Sequence, residues 1–387
     1  MDLAILGGTP RFADGVPFVR APAPPLERVT ELLEPSWARG MLTNGPLVRE
    51  LEERTAAVLG VDHVVAVSSC TTGLMLAIRA LAPAGDVVMP SFTFSASAHA
   101  VAWNAVEPRF VECDPATFQV DVDSVEAGSE GIAAILATHV FGAPCSVEAL
   151  AKLAADRGVP LLFDAAHGFG ALRSGTPVSR FGDVSVFSMT PTKPLVAGEG
   201  GLVATMRADI ADSVRMGRDY GNPGNYDTQF VGLNGRMSEM HAATALASLE
   251  QFPALQLVRD SIADRYTELL AGIAGVRTQV IGSGDVSTYK DFTIAVDESF
   301  GVDRDTLRRA LSAEGVDTRC YFDPPVHRQT AYARPRLDSL PVTDQLASSV
   351  LSLPIYPALD LGTVERIVEI VALVQQRAEE VRARVAA

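Results

Sequence analysis

Short apolar runs alternate with amphipathic stretches between about residues 50 and 210. Residues 64–67 are predicted to form a buried strand, and a polar turn at 68–73 leads into a helix with Leu74, Ile78 and Leu81 on one face. Further strands are predicted at residues 132–137, 161–163 and 184–187, and a helix at 147–157 with Ser146 as its N-cap and Gly158 as its stop.

This order of strands and helices predicts a parallel sheet with right-handed crossover connections. In sheets of this kind, ligands bind beyond the carboxyl ends of the strands. Four polar clusters follow the predicted strands, at residues 68–73, 138–142, 164–168 and 188–201. We therefore expect the four clusters to meet at one edge of the sheet and to form a ligand site there.

The pattern of predicted strands and helices changes near residues 253–260. A length of 387 residues is consistent with two domains. We predict a first unit at 1–252, which includes an irregular Pro- and Gly-rich N-terminal arm laid over the body or over a partner subunit. A smaller α+β unit is predicted at 253–387, with a helix near 260–272, strands near 289–296, a helix near 303–314 and a terminal helix from about 363.

The composition excludes several classes of protein. The chain has 32 Lys+Arg against 47 Asp+Glu, a net charge of −15, so a nucleic-acid or anionic-membrane binder is not expected. No apolar run approaches the roughly 18 residues of a membrane span, and no signal peptide is visible. The four cysteines are too far apart for a zinc site, so we expect a cytoplasmic protein with reduced thiols and no bound metal.

Lysine is rare in this chain, which has only Lys152, Lys193 and Lys290. Lys193 follows the predicted strand at 184–187 and precedes the glycine-rich segment 198–201. By itself it is either a surface lysine or a lysine that forms a Schiff base with a ligand. Its place at the ligand edge and its small neighbours, which let a planar ligand approach, favour the Schiff base.

Asp164 ends an apolar strand, so it is either a helix cap or a ligand contact. As a contact it would hold a pyridine nitrogen protonated, because opposite charges about 4 Å apart gain roughly 4 kcal/mol at an effective dielectric constant near 20. That energy corresponds to about three pKa units, and a protonated ring accepts electrons. His167 would position a phenolic oxygen or Asp164 itself, unless it is a capping or core histidine.

The segment 69–73 opens a helix and is either a plain capping turn or a phosphate seat. Free amide groups, hydroxyl groups and the helix dipole all favour an anion at such a place. Ser188, at the end of another predicted strand, would add a hydroxyl donor.

Taken together, the order and spacing of these motifs resemble the DegT/DnrJ/EryC1/StrS family of nucleotide-sugar aminotransferases, which use pyridoxal phosphate (PLP). The resemblance covers nearly the whole chain and implies the α/β aspartate-aminotransferase-like fold (fold type I), with a mostly parallel sheet in a large domain and a smaller C-terminal α+β domain. The matching motifs are Gly7-Gly8-Thr9-Pro10, Thr43-Asn44-Gly45-Pro46, Ser69-Cys70-Thr71, Asp164-Ala165-Ala166-His167, Phe187-Ser188, Lys193, Gly198-Glu199-Gly200-Gly201, Gly232-Leu233-Asn234 and Pro325-Val326-His327.

The resemblance also implies roles for individual residues. Lys193 would carry the cofactor covalently and shuttle a proton, and Asp164 would pair with the ring nitrogen near His167. Phe94 would stack on the ring unless it packs in the core. The phosphate would be held by Cys70 (through its backbone amide), Thr71 and Ser188, and by Asn234 of the neighbouring subunit in a homodimer with shared sites. Substrate contacts, or else structural salt bridges and caps, are expected at Arg218, Tyr220, Arg319, Tyr321 and His327, of which Arg319 and His327 suit a pyrophosphate.

The implied reaction moves the amino group of L-glutamate through pyridoxamine phosphate to a nucleotide-diphosphate keto sugar. We expect dTDP-4-keto-6-deoxyglucose as the acceptor, in natural-product deoxyaminosugar biosynthesis, with a 3-keto sugar or a cyclitol ketone as alternatives. A catalytically silent regulator of the same fold is a third possibility, which the intact Lys193 and Asp164 disfavour. A nicotinamide-dependent oxidoreductase is disfavoured as well, because no GxGxxG fingerprint follows residues 64–67.

Overall fold

A seven-stranded sheet forms the centre of the large domain in the computed structural model, which describes residues 2–333 and 339–386. The strands are β1 (His63–Val67), β2 (Val87–Pro90), β3 (Pro108–Val111), β4 (Ala134–Thr138), β5 (Leu161–Asp164), β6 (Leu172–Arg173), β7 (Thr176–Pro177), β8 (Val184–Ser188), β9 (Gly201–Thr205), β10 (Val276–Thr278), β11 (Phe292–Val296) and β12 (Val350–Leu353). The α-helices are α1 (Leu26–Ala38), α2 (Pro46–Leu59), α3 (Cys70–Leu81), α4 (Ser95–Trp103), α5 (Val122–Ala127), α6 (Val147–Arg157), α7 (Ala208–Gly217), α8 (Glu239–Leu270), α9 (Arg304–Ala313), α10 (Pro341–Ser349), α11 (Leu361–Gln376) and α12 (Ala378–Ala386).

The strand order of the central sheet is β1-β9-β8-β5-β4-β2-β3, and only β9 runs antiparallel to its neighbours. The expected α/β fold with a mostly parallel sheet is therefore confirmed. Apolar clusters cover both faces of this sheet, which is why strands such as β2 and β4 are nearly continuous apolar runs. Because six strands share one direction, their carboxyl ends lie along a single edge.

The predicted elements of this domain differ from the observed ones mainly at their ends. The strand expected at 132–137 is β4, which begins at Ala134 and ends at Thr138, in register with β5. Helix α6 has the expected bounds, and Gly158 ends it in the left-handed conformation at φ 66°. Ser146 precedes the helix but makes no capping hydrogen bond with its side chain, so that detail of the prediction was wrong.

Helix α8 is much longer than the helix expected near 260–272. It runs for 32 residues and contains both Pro253 and the position where we placed the domain boundary. Pro253 removes one intrahelical hydrogen bond but does not end the helix. The preceding turns are buried at Ala242, Ala243 and Ala245–Ala247, so they lack the polar stripe that reveals a surface helix in a sequence. The division at 252/253 remains a prediction.

A second layer is formed by the antiparallel sheet β10-β11-β12 and the helices α9 and α11 with the end of α8. The N-terminal arm, which we assigned to the first unit, packs on this layer through Leu3, Phe12 and Val16. Within the described residues, no helix is both long and apolar enough to span a membrane.

The carboxylate of Glu239 ties the start of α8 to the start of α2. Its Oε1 accepts hydrogen bonds from the amides of Gly45 (2.9 Å) and Val48 (3.1 Å), and its Oε2 accepts from the Leu47 amide (3.0 Å) and the Ser36 hydroxyl (2.8 Å). Glu239 is fully buried. These donors at a helix N-terminus have no intrahelical acceptor, so the buried carboxylate satisfies them.

We expect Glu239→Ala to lower the stability of the protein by about 3 kcal/mol, because it leaves several buried donors without an acceptor. In a thermal scan this loss corresponds to a decrease of about 4 °C in melting temperature for a chain of this length. Glu379→Ala, at an exposed position of α12, is the matched control and should leave the melting temperature unchanged. Equal melting temperatures for both variants would contradict this role of Glu239.

Candidate active site

A cavity of about 350 Å³ lies at the carboxyl edge of the central sheet. All four predicted clusters contribute to its lining, and a fifth segment after β2 and two stretches of the small domain, 290–291 and 321–322, complete it. A larger groove of about 990 Å³ lies elsewhere on the small domain, and its described lining contains no lysine, histidine or cysteine. The smaller cavity is lined by Ser69, Cys70, Thr71, Thr93, Phe94, Ala96, Thr138, Asp164, Ala166, His167, Ser188, Thr190, Thr192, Lys193, Glu199, Lys290, Asp291, Tyr321 and Phe322.

Asp164 ends β5 and presents a carboxyl group that is only 3% exposed. The Ser97 hydroxyl donates to its Oδ2 at 2.5 Å, and the Ala166 amide donates to its Oδ1 at 3.0 Å. Burial raises the pKa of Asp164, whereas the two hydrogen bonds and the nearby Lys193 oppose that rise. A cation placed in the cavity would favour the ionised carboxylate.

The support for Asp164 comes from residues that sequence analysis missed. Ser97 lies in the first turn of α4, and its hydroxyl is 3.2 Å from that of Thr93. The Thr93 hydroxyl is in turn 3.0 Å from that of Thr138, at the end of β4. Thr93 and Ser97 are four residues apart, but Thr138 is 45 residues from Thr93 and Asp164 is 67 residues from Ser97, so no local motif marks the network.

Lys193 lies in the loop between β8 and β9, which is closed by its own backbone. The Met189 amide donates to Gly200 O (3.0 Å), the Ala197 amide donates to Met189 O (2.8 Å), and the Lys193 amide donates to Thr190 O. Lys193 is half-buried. Burial, followed by the charge of Lys290, lowers the pKa of Lys193 to about 8. A substantial fraction of its amine is therefore uncharged and nucleophilic near neutral pH.

His167 also faces the cavity, and burial holds the pKa of its imidazole well below the ordinary value. The charges of Lys193 and Lys290 lower this pKa further. Its buried Nδ1 has no hydrogen-bond partner among residues 2–333 and 339–386. A neutral imidazole with an unused ring nitrogen suits a polar ligand atom.

The N-terminus of α3 reaches the opposite side of the cavity. The amides of Cys70 and Thr71 have no intrahelical acceptor, whereas the next amide, of Thr72, donates to the Ser69 hydroxyl at 3.0 Å. The buried Ser188 hydroxyl at the end of β8 lines the same cavity. These donors and the helix dipole suit a phosphate.

Two details explain how this seat is built. A Cβ atom at Gly201 would lie 2.6 Å from Cys70 N, so only glycine lets β9 pass the start of α3. Burial raises the pKa of the Cys70 thiol well above its ordinary value, and Cys70 Sγ is 3.7 Å from Val186 O. The thiol therefore stays protonated and points to the sheet, so the backbone amide is the group available to a ligand.

Phe94 presents an aromatic ring to the cavity and is 60% exposed. An exposed ring of this size loses contact with water when a flat ligand covers it, so stacking is favourable. The position excludes ordinary core packing within this chain.

The predicted substrate residues are divided between three places. Tyr321 lines the cavity. Arg319 lines a neighbouring groove of about 530 Å³, which shares Phe94, Tyr321 and Phe322 with the cavity. An elongated ligand could therefore extend from Lys193 into the groove with Arg319.

Arg218 and His327 lie outside the cavity and are engaged within the fold. The Arg218 guanidinium pairs with Glu52 at 2.5 Å and donates to Ala66 O at 2.6 Å. His327 Nδ1 is 2.6 Å from the Ser91 hydroxyl, and this histidine is 3% exposed. Both side chains are therefore buried and engaged with partners that are remote in the chain, which sequence reasoning could not foresee, and their role as substrate contacts stays a prediction.

Tyr220 and Asn234 are also outside the cavity of their own chain. The Arg236 guanidinium lies 5.2 Å from the centre of the Tyr220 ring. Asn234 is exposed and pairs through its backbone with Asp219. An exposed position is what a contact to a neighbouring subunit requires, and that role stays a prediction.

The residues of the cavity fit PLP, the cofactor that the resemblance implies. Within the described part of the chain no cation pairs directly with the buried carboxyl of Asp164, the Phe94 ring is exposed, and the first amides of α3 lie at a cavity large enough for a ligand. These three features match a protonated ring nitrogen, a flat ring and a phosphate respectively. Lys193 lies in the same cavity with a partly neutral amine.

Comparison with known proteins agrees with this geometry. The model of the DegT/DnrJ/EryC1/StrS aminotransferase family matches residues 25–372. The dTDP-4-amino-4,6-dideoxy-D-glucose transaminase of Escherichia coli is 30% identical over 92% of this chain and 97% of its own length. The dTDP-3-amino-3,4,6-trideoxy-alpha-D-glucose transaminase of Streptomyces venezuelae is 33% identical over 87% of this chain and 89% of its own.

Among solved structures, that of DesI in the presence of its TDP-sugar product superposes with a TM-score of 0.95 and 36% identity, covering 100% of this chain and 99% of that one. Members of the matching family are PLP-dependent, and the chain retains the lysine and the aspartate expected of them. This protein therefore belongs to the DegT/DnrJ/EryC1/StrS aminotransferase family, and it is a PLP-dependent sugar aminotransferase.

Proposed function

We propose that this enzyme transfers the amino group of L-glutamate to C4 of dTDP-4-keto-6-deoxyglucose. The observation that carries the proposal is the similarity, over the full length of this chain, to a structure solved with a TDP-sugar product. The resemblance to a 4-amino sugar transaminase over 97% of its length supports the C4 position. The cavity continues into the groove with Arg319, whose guanidinium suits a pyrophosphate.

Amination at C3 is the second candidate. The 3-amino sugar transaminase of Streptomyces venezuelae is 33% identical, slightly more than the 4-amino sugar transaminase at 30%. The two reactions need the same cofactor chemistry and differ in how the sugar lies against Lys193.

Each residue of the cavity has a separate role in holding the cofactor or in moving protons. PLP, when bound, supplies an aldehyde carbon and an electron-accepting ring. Asp164 holds the ring nitrogen protonated, and Phe94 covers one face of the ring. The amides of Cys70 and Thr71 and the Ser188 hydroxyl bind the phosphate.

Lys193 moves the protons. Because its pKa is about 8, the free amine can accept a proton from the α-carbon of the amino donor near neutral pH. In the second half-reaction, the same Nζ gives a proton to the sugar carbon that becomes aminated. His167 stays neutral and offers its unused Nδ1 to a polar group of the cofactor.

We also propose a homodimer in which each subunit completes the other's site. Trp37, Met41, Leu42 and Met240 are exposed apolar residues, and the Glu239 amide donates to Leu42 O at 2.9 Å, so Leu42 and Met240 are close. Apolar side chains grouped in this way mark an interface. Asn234 is exposed six residues before Met240. Light scattering that yields only the monomer mass would contradict the dimer.

The substrate is tested with a panel of nucleotide sugars. We expect the holoenzyme with L-glutamate to aminate dTDP-4-keto-6-deoxyglucose at C4, identified by NMR of the product. Product at C3 alone would overturn the preferred acceptor, and absence of product from every 3-keto and 4-keto sugar would overturn the proposed function.

Two variants connect the activity to the site. Lys193→Ala should lower the rate by about 10²–10⁴-fold, since it removes the group that moves the proton. Asp164→Asn should lower the rate by up to about 10³-fold, because the ring nitrogen loses an anionic partner worth about three pKa units. Asp212→Asn, which changes an exposed aspartate of α7, is the control with unchanged rate.

The charge of Lys193 sets how fast the apoenzyme captures PLP. Only the neutral amine attacks the aldehyde, and its fraction increases as the pH rises through the pKa of about 8. We expect the rate of capture, followed by cofactor absorbance, to rise with pH and to level off above about 8. Nα-acetyl-lysine, whose side-chain amine is free in solution, is the control. Its rate of reaction with PLP should keep rising toward about pH 10.4. The same profile for both amines would contradict the lowered pKa.

A further inference from the structure

A second lysine, Lys290, lines the cavity beside Lys193. Its side chain is 6% exposed and its neighbour Asp291 is 2% exposed, and Lys290 Nζ donates to Asp291 Oδ1 at 2.7 Å. Burial of an ion pair is costly, so a buried pair that lines a cavity calls for an explanation beyond stability. Neither Lys290 nor Asp291 takes part in the proton transfers assigned to Lys193.

Contacts between the two domains hold Lys290 in place. Its amide donates to Phe141 O at 3.0 Å, and the Thr288 amide donates to Gly142 O at 3.1 Å. The Thr288 hydroxyl also donates to His167 O at 2.6 Å, so this stretch is bound directly to the cofactor side of the cavity. The backbone of Lys290 is therefore fixed on the large domain although it belongs to the segment before β11.

The ammonium group has unused hydrogen-bonding capacity. It carries three N–H donors, and in the part of the chain that the structure describes Asp291 is its one hydrogen-bond acceptor. The ring of Tyr321 lies beside it, with Nζ 5.6 Å from the ring centre. Two N–H groups thus remain for a ligand in the cavity.

Charge and position together indicate which ligand atoms these donors meet. Because Asp291 neutralises Lys290, the pair suits a neutral oxygen, whereas a carboxylate would be repelled by Asp291. Tyr321 lines both the cavity and the groove that contains Arg319. A ligand that extends from Lys193 into that groove passes Tyr321 and hence Lys290. Hydroxyl groups and the ring oxygen of a sugar are the neutral oxygens at this point.

We propose that Lys290, oriented by Asp291, is a specificity-determining residue that binds a neutral oxygen of the keto sugar. The inference rests on the proposed function, since it assigns the sugar to the space between Lys193 and Arg319. The proposal gives Lys290 a role in only one of the two half-reactions. Lys290 binds the sugar in the second half-reaction and has no part in the first, with the amino donor.

The test uses Lys290→Met in the holoenzyme and measures each half-reaction alone. The first is followed by the absorbance change of the cofactor on mixing with L-glutamate, the second by the reverse change when the keto sugar is added. We expect kcat/KM for the sugar to fall by about 10- to 100-fold, as for a lost hydrogen bond to a charged group. Loss of the Lys290 charge also raises the pKa of Lys193, so the first half-reaction is measured above about pH 8, where it should change by less than about threefold.

Binding provides a readout that does not depend on turnover. The Kd of the amino-sugar product for the holoenzyme, measured by calorimetry, should increase by the same factor of about 10–100. Lys152→Met is the matched control, because Lys152 is exposed and pairs with Asp156 on the surface of α6. Lys290→Met leaves a buried Asp291 without its partner, so K290M/D291L, which replaces the whole pair by apolar side chains, protects the test against misfolding.

The outcomes decide between specific alternatives. Equal losses in both half-reactions would show that Lys290 acts through the charge of Lys193, and would overturn the proposal. Unchanged sugar kinetics and product affinity in both variants would overturn it as well. If the wild-type enzyme aminates no nucleotide sugar, the proposed function fails before Lys290 is tested, so the two failures are distinguishable.

Discussion

A buried carboxyl group at the end of the central strand β5 determines what this cavity can do. Asp164 is removed from water, and its two hydrogen bonds, from Ser97 and Ala166, do not supply a positive charge. A positively charged ring nitrogen therefore gains both an ion pair and relief of the desolvation that raises the pKa of Asp164. The exposed Phe94 ring and the α3 N-terminus would then orient the rest of the cofactor around that contact.

Burial also shifts the pKa of Lys193, in the opposite direction. Burial and a nearby cation destabilise its charged form, so the amine becomes a nucleophile and a base at ordinary pH. Lys290 differs because Asp291 balances its charge directly. Two lysines in one cavity can thus act on different groups, one on the reacting carbon and one on a neutral oxygen.

In the proposed function, the small domain would supply the part of the site that meets the substrate. Lys290, Asp291, Tyr321 and Phe322 come from segments far from the cofactor loops, and contacts such as Thr288 to His167 bring them to the sheet edge. In the proposed arrangement, the large domain would hold the cofactor, and the small domain would supply side chains that distinguish one sugar from another.

The sequence by itself determined the α/β architecture and the four polar clusters at one sheet edge, because the alternation of strands with helices is a local signal. It also predicted the roles of Lys193 and Asp164, the first from the rarity of lysine and the second from its place at the end of an apolar strand. Only the tertiary structure decided which polar residues share the cavity. Arg218 and Glu52 are 166 positions apart, and His327 and Ser91 are 236 apart, so their mutual contacts leave no local pattern. For the same reason, the sequence did not reveal Ser97, which donates a hydrogen bond to Asp164 from another element. The sequence showed that lysine is rare, but the position of Lys290 beside Lys193 depends on how the two domains pack.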